Sequence, residues 1–158
     1  MSSPRVLTST RSIPVDVATA FGGTLPIDLS TIFSRWYGPI GPVRAVRDQI
    51  GEWGTVGQTR IVLQVGGGRL REELTRVDPP HAFAYRLTDI RGPLAPLVDH
   101  VEGEWRFEPV GTGTNVTWRW TVHPKGRAGA LAMPAFERLW QGFARQGLEQ
   151  LAAELVRA

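Results

Sequence analysis

Val101-Glu102-Gly103-Glu104-Trp105-Arg106-Phe107-Glu108 and Asn115-Val116-Thr117-Trp118-Arg119-Trp120-Thr121-Val122-His123 flank the turn Gly111-Thr112-Gly113. Both runs alternate large apolar with polar residues, the period of a half-buried strand, and the glycines between them mark a hairpin. Opposed residues of an antiparallel pair keep a constant index sum, so the register can be written down. Only an even loop brings the two apolar faces to the same side. That choice sets Phe107 opposite Val116, Trp105 opposite Trp118, and Gly103 opposite Trp120. Gly103 then either accommodates Trp120 in a filled core or marks a bend in the sheet with a pocket above it.

Working outward, the same alternation recurs over residues 43–48, 57–65, 69–77 and 82–89, separated by Gly66-Gly67-Gly68 and Asp78-Pro79-Pro80. A first strand is expected over residues 6–15. Short helices follow over 16–21, with Asp16 as N-cap, and 28–37, where Ile32, Phe33 and Trp36 keep helical spacing. Residues 90–100, holding Pro93 and Pro96, form a long connection of the kind that builds lids and portals. One helix is expected from about residue 128 to 156, with Phe136, Trp140, Phe143, Leu151 and Leu155 in a single apolar stripe. Pro134 either lies in its first turn or kinks an earlier one.

A second hairpin can be treated like the first. Ile61, Leu63 and Val65 alternate on one strand, Leu70 and Leu74 on the next. A two-residue turn at Gly66-Gly67 matches those faces, places Arg60 opposite Glu73 outside, and leaves Glu72 on the apolar face opposite Ile61. A buried carboxylate needs a partner, or its pKa rises. The alternative is a bulge or strand end that turns Glu72 to solvent.

The chain has 158 residues, enough for one hydrophobic core, and its 42% hydrophobic and 21% charged content is that of a globular domain. One domain over residues 1–158 is expected. No apolar run reaches the roughly 18 residues a membrane span requires. The first ten residues lack an apolar signal core, so a cytoplasmic location is expected. Cysteine is absent, which excludes disulfides and thiolate chemistry. The net charge of +3 comes from scattered arginines without a basic run, so no nucleic-acid partner is expected. Six tryptophans, in or beside regular elements, point to a large aromatic-lined interior.

Trp53-Gly54-Thr55-Val56-Gly57-Gln58-Thr59-Arg60, Glu72-Glu73-Leu74-Thr75, Asp78-Pro79-Pro80, Phe83-Ala84-Tyr85-Arg86, Gly103-Glu104-Trp105-Arg106-Phe107 and Gly111-Thr112-Gly113-Thr114-Asn115-Val116-Thr117-Trp118 occur in an order that resembles one family. It is the polyketide cyclase/dehydrase and lipid-transport group of the START-like superfamily, also called SRPBCC or Bet v 1-like. The likeness runs from the first strand to the final helix. It implies an α+β helix-grip fold: a curved antiparallel sheet of about six or seven strands wrapped around a long C-terminal helix, with two short helices after the first strand. It also implies an internal cavity for a small hydrophobic ligand such as a polyketide or lipid. Members include carriers and cyclases, and no catalytic signature of the cyclases is found in this chain.

The side chains expected on such a cavity are Phe33, Trp36, Ile61, Leu63, Phe83, Tyr85, Trp105, Trp118, Trp120, Phe136 and Trp140. Candidates for chemistry are Glu72, Tyr85 and His100. Tyr85 shares a face with Phe83 and Leu87, so its hydroxyl can orient a carbonyl or phenol; otherwise it is a core tyrosine bonded to backbone. His100 can act as acid or base near neutral pH, or simply be solvated. Its neighbour Asp99 is expected on the opposite strand face, so no dyad is expected. No metal site and no cofactor are expected, because His81, His100 and His123 lie at separate strand boundaries without helical zinc spacing. Three functions follow: a binder or carrier of a hydrophobic molecule, a polyketide cyclase/dehydratase using the same cavity, or an interaction module without ligand. A homodimer is left open.

Overall fold

The computed structural model describes residues 3–158; Met1 and Ser2 of the N-terminal stretch lie outside them. Strand β1 (Arg5–Ile13) is followed by helices α1 (Val17–Thr24) and α2 (Leu29–Ile32). Six strands come next: β2 (Val43–Arg47), β3 (Thr59–Gln64), β4 (Arg69–Asp78), β5 (Ala82–Arg91), β6 (Val98–Val110) and β7 (Gly113–Pro124). Helix α3 (Gly126–Arg157) closes the chain. The strands form one antiparallel sheet in the order β1-β7-β6-β5-β4-β3-β2. The meander read from the sequence is therefore present, with β1 returning to the edge beside β7. No helix of the described residues is long and apolar enough to cross a membrane.

The local chemistry accounts for the short helices. The Asp16 side chain accepts a hydrogen bond from the Thr19 backbone N–H at 2.7 Å and starts α1. Hydrogen bonding from Thr19 holds its carboxyl below the usual carboxylate range. Asp28 caps α2 in the same way through Ser30. α2 is shorter than the helix expected over 28–37. Phe33 leaves helical dihedrals, and Tyr37 and Ile40 pair across a turn containing Gly38 and Pro39. Trp36 consequently lies at the surface over Gly41 and Gly66 and is 50% exposed.

The β6–β7 hairpin has the register read from the sequence, with Trp105 opposite Trp118 and Gly103 opposite Trp120. The inner faces of the strands carry Leu74, Phe83, Trp105, Phe107 and Trp118, all buried. They face the stripe of α3, where the Trp140 ring centroid lies 5.0 Å from that of Trp118. Pro134 falls inside α3 rather than in its first turn, because the helix begins at Gly126. Gly147 within α3 serves close approach: a Cβ there would lie 2.5 Å from Cε1 of Phe33. Interior helical glycine costs about 1 kcal/mol against alanine, offset here by Phe33 stacking on Phe143 at 5.1 Å and 9°.

The β3–β4 hairpin departs from expectation by one residue. Gln64 N–H donates to Gly68 O, leaving Val65-Gly66-Gly67 as a three-residue turn with both glycines at positive φ. Arg60 then opposes Glu72, not Glu73, and Val62 opposes Leu70. Arg60, Val62, Leu70, Glu72 and Leu74 face inward and are buried, while Ile61 and Leu63 turn to the outer face, half-buried. The glycine triplet admits either turn length, and only the odd one gives the inward carboxylate a cation.

Candidate ligand cavity

Between the sheet and α3 lies a cavity of about 300 Å³, at the lower end of the range for small-molecule sites. Its aromatic wall comes from Phe33, Phe83, Tyr85, Trp105, Trp118, Trp120, Phe136 and Trp140, the expected aromatic residues apart from Trp36, together with Phe143. Ile61 and Leu63 are also absent from the wall, in consequence of the shifted register; Arg60 and Val62 take their place. The part of the wall that is not fully buried includes Leu25, Ile27 and Leu29 before and in α2, Pro39 and Ile40 between α2 and β2, Val65 and Gly68, Arg91 and the connection holding Pro93, Leu94 and Leu97, and the first half of α3. These residues form the mouth. The connection expected over 90–100 is shorter, since β5 runs to Arg91 and β6 starts at Val98.

Tyr85 sits opposite Gly103. A Cβ at residue 103 would fall 2.1 Å from Cζ of Tyr85. The absent side chain therefore accommodates the Tyr85 ring, not Trp120, which is one of the two readings of this glycine. Lying over that glycine, Tyr85 Oη accepts hydrogen bonds from Trp118 Nε1 at 2.7 Å and Trp120 Nε1 at 2.9 Å. Tyr85 is thus bonded to side chains rather than backbone. A phenolic oxygen has room for two such bonds and still carries one proton to donate. Among the described residues no acceptor takes that proton. Burial pushes the Tyr85 pKa well up, the negative charge of Glu72 adds to the rise, and the indole bonds offset only part of it. The group is a donor under all ordinary conditions.

Arg60 and Glu72 line the same cavity as an ion pair, each side chain 5% exposed. Arg60 Nε donates to Glu72 Oε1 at 2.9 Å, and its Nη1 donates to Gln49 Oε1 at 3.3 Å. Its guanidinium carbon lies 4.0 Å from the ring centroid of buried Trp53, a cation–π contact. Burial raises the Glu72 pKa, and Arg60 acts against that rise through its charge and its hydrogen bond. Arginine does not deprotonate, so the pair carries two opposite charges that cancel wherever Glu72 is ionised. Two further buried polar atoms of wall residues, Thr24 Oγ1 and Trp140 Nε1, have no partner among the described residues.

His100, the third candidate, lies elsewhere. It alternates with inward Val101 and stands on the outer face, opposite His123. It is not brought together with Tyr85 or Glu72. The expectation that Asp99 and His100 diverge fails, since His100 Nδ1 lies 2.6 Å from Asp99 Oδ2. The register shifts between Val98 and His100, and that irregularity breaks the strict alternation of faces. His100 and His123 are likewise paired rather than separate. The offset that sets Trp105 opposite Trp118 already implied this. Arg60 was missed through the register, and Trp53 and the Pro39–Ile40 turn because loops carry no periodicity, whereas the connection holding Pro93 stands where the sequence expects a portal.

The sequence model for polyketide cyclase / dehydrase and lipid transport proteins matches residues 5–156. The chain belongs to this family. Its fold is shared with several solved structures. A Thalictrum norcoclaurine synthase variant, in complex with a transition-state analogue, is 14% identical with a TM-score of 0.72, over 99% of this chain and 97% of that one. A major latex-like protein of Panax ginseng is 14% identical with a TM-score of 0.70, over 96% and 97%. A Thermus thermophilus protein is 18% identical with a TM-score of 0.67, over 97% and 98%. These identities establish the helix-grip fold and nothing finer. No curated protein matches the chain in sequence.

Proposed function

We propose that residues 1–158 act as one ligand-binding domain that holds a small, uncharged, largely apolar molecule bearing a carbonyl-type oxygen. The observation that carries this reading is the Tyr85 hydroxyl, whose lone pairs are engaged by two indole N–H groups and whose proton is left to donate. Thr24 and Trp140 add further unpartnered polar groups on the wall. With Glu72 ionised, the Arg60–Glu72 pair offers no net charge to neutralise, which favours a neutral guest over a fatty-acid anion. Membership of a family of cyclases and lipid-transport proteins agrees with an apolar guest. A cytoplasmic setting and a small-molecule partner, without nucleic acid, belong to the same reading.

The test compares 2-acetonaphthone with 2-ethylnaphthalene, similar in size and differing in one carbonyl oxygen, by calorimetry and quenching of tryptophan emission. Both are expected to bind. The ketone should bind about two- to tenfold more tightly, the value of one neutral hydrogen bond. Absence of binding by either probe overturns the cavity reading. Equal affinity overturns the acceptor requirement alone.

One observation favours a second reading, a cyclase or dehydratase. Glu72 and Tyr85, a carboxylate and a donor hydroxyl, line one cavity. Tyr85 would polarise a ketone and Glu72 would take the adjacent proton of a poly-β-ketone chain folded by the wall. Substituting either residue should lower turnover about a hundredfold or more. Unchanged turnover in both variants removes this reading.

A further inference from the structure

On the opposite side of the sheet, three potential ligands converge. His100 on β6 faces His123 on β7 across the hairpin, and Glu102 follows His100 by two residues on the same face. One ligand atom from each of the three lies within 4.8 Å of the others. We propose that His100, His123 and Glu102 form a site for a divalent transition-metal ion that clips β6 to β7.

The chemistry of the donors selects the ion. Two imidazoles and one carboxylate, without thiolate, suit Zn(II), Cu(II) or Ni(II) better than Cu(I), Ca(II) or Mg(II). Asp99, brought beside His100 by the irregularity at Val98–His100, accepts from Nδ1 at 2.6 Å. That bond fixes the tautomer and leaves Nε2 with its lone pair, the arrangement by which a carboxylate orients a ligating histidine. His123 Nε2 lies 2.6 Å from Glu102 Oε1, a contact that shares one proton. A metal ion replaces that proton, binding the nitrogen and the oxygen together.

Ligand atoms around tetrahedral zinc stand about 3.3 Å apart, given bonds of roughly 2.0–2.1 Å. The gaps of up to 4.8 Å must shorten, and the 2.6 Å contact must open. The imidazoles are stacked, with centroids 3.9 Å apart and planes at 12°. Binding therefore splays the rings so that their lone pairs converge. Side-chain rotation suffices, because His100, His123 and Glu102 are 33%, 27% and 52% exposed. The nearby cations are Arg86, opposite Glu102 on β5, and Arg119, which pairs with Glu104; Glu102 contacts His123 rather than either. A fourth position stays open to water.

The experiment titrates the full chain with Zn(II) against a chromogenic chelator and records Cu(II) electron paramagnetic resonance. One ion per chain is expected, with hyperfine coupling from two nitrogens. His100→Ala and His123→Ala should each weaken Zn(II) at least tenfold and leave one nitrogen. Asp99→Ala, a change in a positioning residue, should weaken Zn(II) about ten- to a hundredfold while keeping both nitrogens. His81→Ala should change neither readout. All these side chains are outside the core, and unchanged far-UV circular dichroism will show that the variants fold. Zn(II) affinity unaltered in the His100→Ala/His123→Ala double variant, or a wild-type copper spectrum without nitrogen coupling, overturns the proposal.

Discussion

The two hairpins that build the cavity wall are made by similar rules and differ in what fixes their register. In β6–β7, bulky residues alternate on both strands, and a slip by one residue would expose a tryptophan. In β3–β4, the more apolar face of β3 (Ile61 and Leu63) is turned outward, and the face carrying Arg60 is turned in. The magnitudes explain the choice. Leaving two aliphatic side chains half-buried forfeits only part of the roughly 1.5–3 kcal/mol that full burial of each provides. Leaving Glu72 buried without a cation costs several kcal/mol. A single inward carboxylate therefore outweighs the alternation of its neighbouring strand.

The largest effects should come from separating the charges of β3–β4. Arg60→Met or Glu72→Leu alone should cost about 3–5 kcal/mol, and the double substitution should restore stability to near the wild-type value. Urea denaturation of all three variants measures this; simple additivity would mean that the two side chains do not oppose each other. In β6–β7 and its neighbour, Tyr85→Phe removes the acceptor of two buried N–H groups, each worth about 1–3 kcal/mol when orphaned. A loss of about 2–4 kcal/mol is expected, with a change in tryptophan emission. Gly103→Ala should displace the Tyr85 ring and cost about 1–3 kcal/mol; full stability in that variant would show that the ring does not depend on the glycine.

Smaller effects sharpen the same contrast. Gly66→Ala places a side chain at φ +97° and should cost about 1–2 kcal/mol, whereas a two-residue turn at other dihedrals would tolerate it differently. The smallest effect is in pH dependence. Burial raises the Glu72 pKa above the ordinary carboxylate range. Between that range and the raised value, the native state keeps a proton that the unfolded chain has released. Stability contributed by this group is thus complete at lower pH and declines as pH rises across the window. Urea midpoints of the wild type and Glu72→Gln, taken over about pH 4–8, should show this decline in the wild type alone. The lowered pKa of Asp16 acts in the opposite sense, at more acid pH.

Much of this is legible in the sequence. Alternation placed Phe83, Tyr85, Trp105, Trp118 and Trp120 on one face, and the helical stripe placed Phe136 and Trp140 opposite them. Trp36 was misplaced because helical spacing says nothing about where a helix stops, and α2 stops at Ile32. Ile61 and Leu63 were misplaced because a glycine triplet leaves the turn length ambiguous by one residue, which reverses every face. The donor character of Tyr85 depends on three residues from two strands, β5 and β7, meeting at one oxygen. No one-dimensional pattern records that convergence. His100 opposite His123 is the contrary case, implicit in the index sum that aligns the tryptophans.

The mouth of the cavity is assembled from turns and the first half of α3, whereas strands supply the deep wall. At its edge, Gly92 leans on the backbone of Gly67 so closely that a Cβ there would lie 2.5 Å from the Gly67 carbonyl oxygen. Under the proposed binding function, a guest would depart by a local excursion of two loops, with no strand pair coming apart. Residence time is then decoupled from global unfolding. Stiffening the Gly92–Leu97 segment should lengthen occupancy while leaving the denaturation midpoint of the free protein almost unmoved.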